Sequence, residues 1–240
     1  MDPTPLLRCE RLVVGYGGRP VLPPVDLEIR PGEFWVVVGR NGSGKTTWFK
    51  TLLGLLPPVS GGVVWPQGRQ AIAYVPQRSA FDELYPVPVH EVVAMGAERG
   101  WSFLSPGGGR GERVKQALTE VGAWELRDRN FRALSEGQKQ RVLLARMLCS
   151  QAGIALLDEP TAAMDAVAEE EAMAMLDSLR TAHGLALVVV SHHLQVAFRH
   201  ADRILFLDPE VGVEVGTAAE IQQSEAWRAR YQDRHAGVLP

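Results

Sequence analysis

The sequence has little of what would make it a secreted scaffold, a membrane-spanning protein or a nucleic-acid coat. Only two cysteines are present, Cys9 and Cys149; they lie far apart, fit no metal-ligand spacing, and point to a reducing compartment rather than a disulfide framework. No apolar run approaches the roughly 18 residues that a spanning helix requires; the longest, at 34–38 and 185–190, are strand-sized. The first five residues carry Asp2 and two prolines in place of a basic segment followed by an apolar one, so no secretory signal is expected. Neither charge sign dominates: 25 Lys and Arg against 28 Asp and Glu leave a formal charge of −3, which argues against broad affinity for nucleic acid or anionic lipid and leaves room only for a local anion site.

What is present is an ordinary globular composition, 46% apolar and 22% charged, in 240 residues, enough chain to bury about 70–75% of its unfolded surface. The first ~35 residues predict short strands at 12–16 and around Val25, Leu27 and Ile29, separated by Gly17-Gly18 and Pro23-Pro24, as in an antiparallel layer. From Phe34 the pattern becomes a β-branched strand, a glycine-rich turn and a helix over 45–55. Buried strands recur at 154–157, 187–190 and 204–207, with helices at 167–182 and 194–200 between them, which predicts a mainly parallel sheet covered on both faces. The middle reads as helices at 89–97, 112–121 and 136–150 with no intervening strand, an inserted helical part; within it, 105–111 is a glycine-rich surface loop. The last ~25 residues, with Arg228, Arg230 and Arg234, read as a terminal helix with a solvated face.

Gly39-Arg40-Asn41-Gly42-Ser43-Gly44-Lys45-Thr46 has the G-x-x-x-x-G-K-[ST] spacing between a predicted strand and a predicted helix. A polyphosphate needs converging backbone N–H groups, and Gly39, Gly42 and Gly44 let the chain wrap closely because they lack Cβ. Lys45 would set a charge against the β- and γ-phosphates, Thr46 would offer a hydroxyl to Mg²⁺, and the helix would turn its positive dipole end toward the anion. Asp158-Glu159 closes an apolar strand, where acidic groups face such a loop at the carboxyl edge of a parallel sheet. Two adjacent carboxylates serve two roles: Asp158 toward Mg²⁺, directly or through water, and Glu159 as the group that polarises an attacking water.

Leu134-Ser135-Glu136-Gly137-Gln138, just ahead of a long helix, resembles the signature motif of the ATP-binding cassette (ABC) ATPases. The resemblance spans nearly the whole chain: Tyr16 matches the adenine-stacking aromatic, Gln77 the Q-loop, 162–165 the D-loop and His192 the switch histidine. Tyr16 alone reads as a packed strand aromatic and His192 alone as a structural histidine; six motifs in order give them meaning. The resemblance implies an α/β P-loop NTPase cassette with a RecA-like core, an N-terminal antiparallel β subdomain and an inserted helical subdomain, the first two from 1–85 and 151–240 and the last from 86–150. It implies ATP and Mg²⁺ as cofactors, with Tyr16, Gly39, Arg40, Asn41, Gly42, Ser43, Gly44, Lys45, Thr46 and Thr47 of one copy and Ser135, Gly137 and Gln138 of a second, head-to-tail copy around each ATP. Thr46, Gln77 and Asp158 would hold the metal; Glu159, His192 and Gln77 would serve hydrolysis. Two positions depart from the family pattern: Glu136 stands where Gly is usual, and His193 where Asp is common.

With a single cassette and no predicted span, transport implies separate integral membrane permease subunits, this chain at the cytoplasmic face of the membrane, an extracytoplasmic substrate-binding protein as an indirect partner, and no nucleic acid. Tyr74-Val75-Pro76-Gln77-Arg78-Ser79, Tyr85-Pro86-Val87-Pro88-Val89 and the following Glu91-Val92-Val93-Ala94-Met95-Gly96 are similar to the cassettes of zinc and manganese importers, and less so to those of siderophore and haem importers. A soluble ABC ATPase of nucleic-acid repair is disfavoured because Gln77 and Leu134 are too close for a long coiled-coil insertion. A GTP switch protein is disfavoured because neither Asn41 nor Asn130 begins an N-K-x-D motif.

Overall fold

In a computed structural model, residues 3–77, 86–97, 109–162, 164–191 and 194–232 are described. The strands are β1 Leu7–Val13, β2 Gly15–Tyr16, β3 Arg19–Pro20, β4 Val25–Ile29, β5 Phe34–Val38, β6 Ser60–Val64, β7 Ile72–Val75, β8 Ile154–Asp158, β9 Ala186–Val190, β10 Arg203–Asp208 and β11 Gly212–Gly216. The α-helices are α1 Lys45–Leu52, α2 Val89–Ala94, α3 Arg110–Glu120, α4 Glu136–Cys149, α5 Ala166–His183, α6 Leu194–His200, α7 Ala218–Gln223 and α8 Glu225–Trp227.

A six-stranded sheet runs in the order β11-β10-β5-β9-β8-β7, parallel except for the edge strand β11. β5, β8 and β9 are buried at every position, as expected of strands covered on both faces. Period-two alternation sends Phe34, Val36 and Val38 into one core with α4 and α5, and Trp35 and Val37 into a second core with Trp48 and Phe49 of α1. That second core is closed by the antiparallel sheet β4-β1-β6. The helices α2, α3 and α4 pack on one another, and α4 also meets β7.

The sequence reading lacks β6, β7 and β11 and the two-residue β3, and its first strand, expected at 12–16, runs instead over Leu7–Val13, with Gly15–Tyr16 in a separate hairpin. β6 carries two adjacent glycines and no fully buried residue, β7 has four residues, and β11 begins and ends in glycine, so none presents a strong apolar run. The helix expected to reach residue 55 stops at Leu52, because Gly54 takes φ 76 and the amides of Gly54 and Leu55 bond back to the carbonyls of Thr51 and Lys50, the pattern of a Schellman stop. The helix expected from 112 begins at Arg110, two residues inside the expected loop, the rest of which lies outside the described residues apart from Gly109. The N-cap of α3 is Gly109, with no side-chain cap, so no capping residue marks the start in the sequence.

The C-terminal stretch departs most from expectation. Arg228–Gln232 is a π turn following α8, and Arg230 is not solvated: its side chain is 10% exposed and meets Asp208 through Nε at 2.5 Å and Nη2 at 2.8 Å, with Glu210 also at 2.8 Å. Trp227 stacks on Tyr231, with ring centroids 4.3 Å apart, beside Phe206 and Phe198. Arg234 lies outside the described residues.

Burial opposes the Asp208 charge, but hydrogen bonds from Arg230 and from the amides of Glu210 and Val211 outweigh it and hold the carboxyl below its ordinary value. A carboxyl depressed in the fold contributes stability that is fully present above its unfolded pKa and lost as pH falls through the lower folded one. Asp208→Asn is therefore expected to lower the thermal midpoint at pH 7 and to flatten the decline in midpoint below about pH 4. An acid decline as steep as that of the wild type would contradict this account of the pair.

Candidate functional site

β5 delivers the chain at the carboxyl edge of the parallel sheet, and residues 39–44 turn it back into α1. The turn is tight: a Cβ on Gly39 would lie 2.3 Å from the Leu207 carbonyl oxygen and 2.5 Å from Ser43 Oγ, while Gly42 and Gly44 take φ of 80 and 95. Gly44 occupies the N-cap of α1 without a side-chain cap, which leaves the first-turn amides directed into the loop. Lys45 is buried, and its ammonium donates to the carbonyls of Gly39 at 2.7 Å and Arg40 at 2.9 Å. Burial pulls its pKa down, opposed by the nearby charges of Glu159 and Asp158. Ser43 Oγ is buried with no hydrogen-bond partner among the described residues. A buried hydroxyl lacking a partner, free amides at a helix start and an ammonium within a loop of glycines are what a polyphosphate oxygen set satisfies.

The acidic pair comes from β8, whose register sets Asp158 beside Val190 of β9. Asp158 is buried, and Tyr74 donates to its Oδ2 at 3.4 Å. Burial and the neighbouring Glu159 charge raise the Asp158 pKa, while hydrogen bonds from Tyr74 and Thr46 and the Lys45 charge pull against them. The Tyr74 phenol, pushed up to about 12 by burial and by Asp158, keeps its proton and remains a donor. Glu159 leaves the strand at φ 51, a left-handed conformation rare for a residue with a Cβ, just ahead of Pro160, which itself disfavours the right-handed helical region. Its Oε2 accepts from Gln77 Nε2 at 2.5 Å.

One cavity of about 660 Å³ is lined by Tyr16, Val21, Asn41, Gly42, Ser43, Gly44, Lys45, Thr46, Thr47, Gln77, Glu159 and Ala162; Gly39, Arg40 and Asp158 are not among its lining residues, and Asp158 lies behind Thr46, to which it is hydrogen-bonded. Tyr16, on the β2-β3 hairpin, is 49% exposed at the wall of this cavity, and its hydroxyl accepts from Thr47 Oγ1 at 3.2 Å. The oxygen donors of Thr46, Asp158 and Gln77 are the hard, compact set that suits Mg²⁺. The arrangement can bind a triphosphate, order a divalent ion beside it and offer a carboxylate to a water.

The expected signature residues are not part of this cavity. Ser135 and Gln138 instead form a capping box for α4: Ser135 Oγ accepts from the Gln138 amide at 3.4 Å, and Gln138 Oε1 accepts from the Ser135 amide at 3.1 Å, a pair worth about 1 kcal/mol to the helix. Glu136, in the first turn of α4, is exposed and pairs with Lys139 at 2.9 Å. Asp165 caps α5 through the amides of Val167 and Ala168. His192, with His193, Arg78, Ser79, Tyr85 and Ala163, lies outside the described residues. The sequence analysis does not identify Tyr74 as a partner of Asp158: the four residues of β7 alternate in burial but not in polarity, and their pairing with β8 is non-local.

Among the described residues no helix is long and apolar enough to cross a membrane. The ABC transporter family matches residues 22–162. The zinc transport system ATP-binding protein TroB of Treponema pallidum is 37% identical over 97% of this chain and 89% of its own length. The manganese transport system ATP-binding protein MntB of Bacillus subtilis is 39% identical over 82% of this chain and 81% of its own. The zinc import ATP-binding protein ZnuC of Cereibacter sphaeroides is 35% identical over 98% and 91%. Among solved structures, an inward-facing metal-chelate type ABC transporter superposes with a TM-score of 0.85 at 27% identity, covering 95% of this chain and 90% of that one. CbiO1 of Clostridium perfringens, part of the ABC transporter complex CbiONQ, gives 0.80 at 25%, covering 97% and 98%.

Proposed function

Since this chain belongs to the ABC transporter family and is one of its ATP-hydrolysing subunits, we propose that it drives the import of zinc or manganese through a separate membrane permease. One observation carries the ATPase chemistry: the phosphate loop, Gln77 and Glu159, far apart in sequence, line a single cavity. The metal cargo is supported by the similarity over most of the chain to proteins named for zinc and manganese transport.

In this reading the amides of 39–46 and the Lys45 ammonium bind the β- and γ-phosphates, exchanging the carbonyl contacts of Lys45 for anionic oxygens. Tyr16 offers its face to the base without reading its edge, a contact of ~1–3 kcal/mol by analogy with aromatic stacking on single-stranded nucleic acids. Thr46, Asp158 and Gln77 would hold Mg²⁺, which when bound supplies positive charge to the phosphate oxygens. Glu159 accepts the proton of the attacking water, and Gln77, already bonded to Glu159, links that base to the strand and helices behind it. His192 donates to the γ-phosphate.

Ser135, Gly137 and Gln138 serve the nucleotide of a second copy arranged head to tail, so ATP holds two protomers together and its cleavage releases them. Residues 86–150 form the helical part that meets the permease, and 1–85 with 151–240 the β and nucleotide-binding part; the assembly sits at the cytoplasmic face of the membrane. Reconstituted with its permease in vesicles, the cassette is expected to hydrolyse ATP several-fold faster when the cognate binding protein carries zinc or manganese than when that protein is empty. A rate indifferent to those ions but raised by a siderophore complex would favour the second reading, which the likeness to a metal-chelate type transporter supports.

A further inference from the structure

β7 ends two residues before Gln77, and its register against β8 sets Tyr74 opposite Leu156. Residues two apart on a strand share a face, so Tyr74, Leu156 and Asp158 project from the same side of the sheet, the side that α1 covers. From there the phenol reaches diagonally along the strands to Asp158 Oδ2, at 3.4 Å. Phe49 of α1 holds the tyrosine ring edge-on, with centroids 6.5 Å apart at an interplanar angle of 84°. The carboxylate thus receives one hydrogen bond from Thr46 at the start of α1 and another from β7.

We propose that Tyr74 is a positioning residue for the metal site, fixing the plane of the Asp158 carboxylate so that it can receive Mg²⁺. The inference rests on the assignment of Asp158 to the metal made above. The terminal torsion of an aspartate is broad, so a carboxylate held from one side alone samples many orientations. A donor on Oδ2 selects one plane and leaves the other oxygen directed away from the phenol. Tyr74 suits the task because its ring is locked between sheet and helix, and because a neutral donor orders the carboxylate without cancelling the charge that the cation requires. Since β7 packs on α4 and runs on toward Gln77, the same side chain couples the orientation of the metal ligand to the segment that bears the Gln77 amide.

Tyr74→Phe keeps the ring and its contact with Phe49 and removes only the hydroxyl. The test measures binding of a fluorescent ATP analogue to the full chain with Mg²⁺ and with EDTA, alongside Asp158→Asn. For Tyr74→Phe the ratio of the EDTA Kd to the Mg²⁺ Kd is expected to fall about 3- to 10-fold, with the EDTA Kd unchanged to within about twofold. In the ATPase assay the KM for Mg²⁺ should rise by a similar factor while kcat at saturating Mg²⁺ is retained. A ratio within about twofold of the wild type, in a protein whose Asp158→Asn variant loses the Mg²⁺ effect, would overturn the role of Tyr74 alone. Equal weakening with and without Mg²⁺ would also overturn it, marking the hydroxyl as general support for the fold. A wild type whose binding ignores Mg²⁺ would overturn the metal assignment and this inference together.

Discussion

Glu159→Gln is expected to bind ATP to within about twofold of the wild type yet hydrolyse it at least ~100-fold more slowly, and to accumulate as a dimer when ATP is added. The amide is isosteric with the carboxylate and still accepts from Gln77 Nε2, so the local arrangement around the 2.5 Å contact survives. What is lost is the only charge at that position able to take a proton from water. The Glu159 charge is one cause of the raised pKa of Asp158, so its removal leaves Asp158 at least as fully ionised. Equilibrium nucleotide binding, steady-state phosphate release and light scattering with and without ATP measure the three components. Near-normal phosphate release would take the base role away from Glu159, and slow release without dimer accumulation would argue against the shared site.

The second large effect is expected at Gly39. A Cβ there would stand 2.3 Å from the carbonyl oxygen of Leu207, and that oxygen belongs to β10, a strand paired on both sides within the six-stranded sheet. A side-chain tip could swing aside; this backbone cannot without disturbing its partners, so the phosphate loop must move instead. Gly39→Ala should therefore weaken ATP binding by more than about tenfold and lower the thermal midpoint, consistent with overpacking at roughly 1–3 kcal/mol. Gly42→Ala is the control: nothing lies within 4 Å of its Cβ, and the burden there is only the left-handed φ of 80, a conformational cost of about 1–2 kcal/mol. Gly39→Ala binding ATP as tightly as the wild type would show that the loop is not braced against β10.

How much of this could be read from the chain depends on how local the cause is. β5, β8 and β9 were legible because strands covered on both faces are written as unbroken apolar runs, and the phosphate loop because glycine spacing reflects backbone geometry within eight residues. The Gly54 stop is equally local, but Leu52, Leu53, Leu55 and Leu56 around it favour helix, and the left-handed turn that ends α1 outweighs their propensity. β6 and β7 escaped because their stability comes from neighbours, not from their own composition. Arg230 departs from expectation for the same reason: a basic residue in this stretch reads as solvated, and its partner Asp208 lies 22 positions away in sequence.

Local order along the chain was enough to identify an ATP-hydrolysing cassette, because each motif is a short-range solution to a chemical need. Only the folded chain decided which of those pieces meet. Parallel pairing places Glu159 and Gln77, 82 positions apart, within a hydrogen bond; the face shared by β7 and β8 brings Tyr74 to Asp158; and Ser135 is left capping its own helix outside the cavity. Those outcomes depend on strand register and sheet order, which are set by the summed burial of two cores rather than by any single stretch of residues.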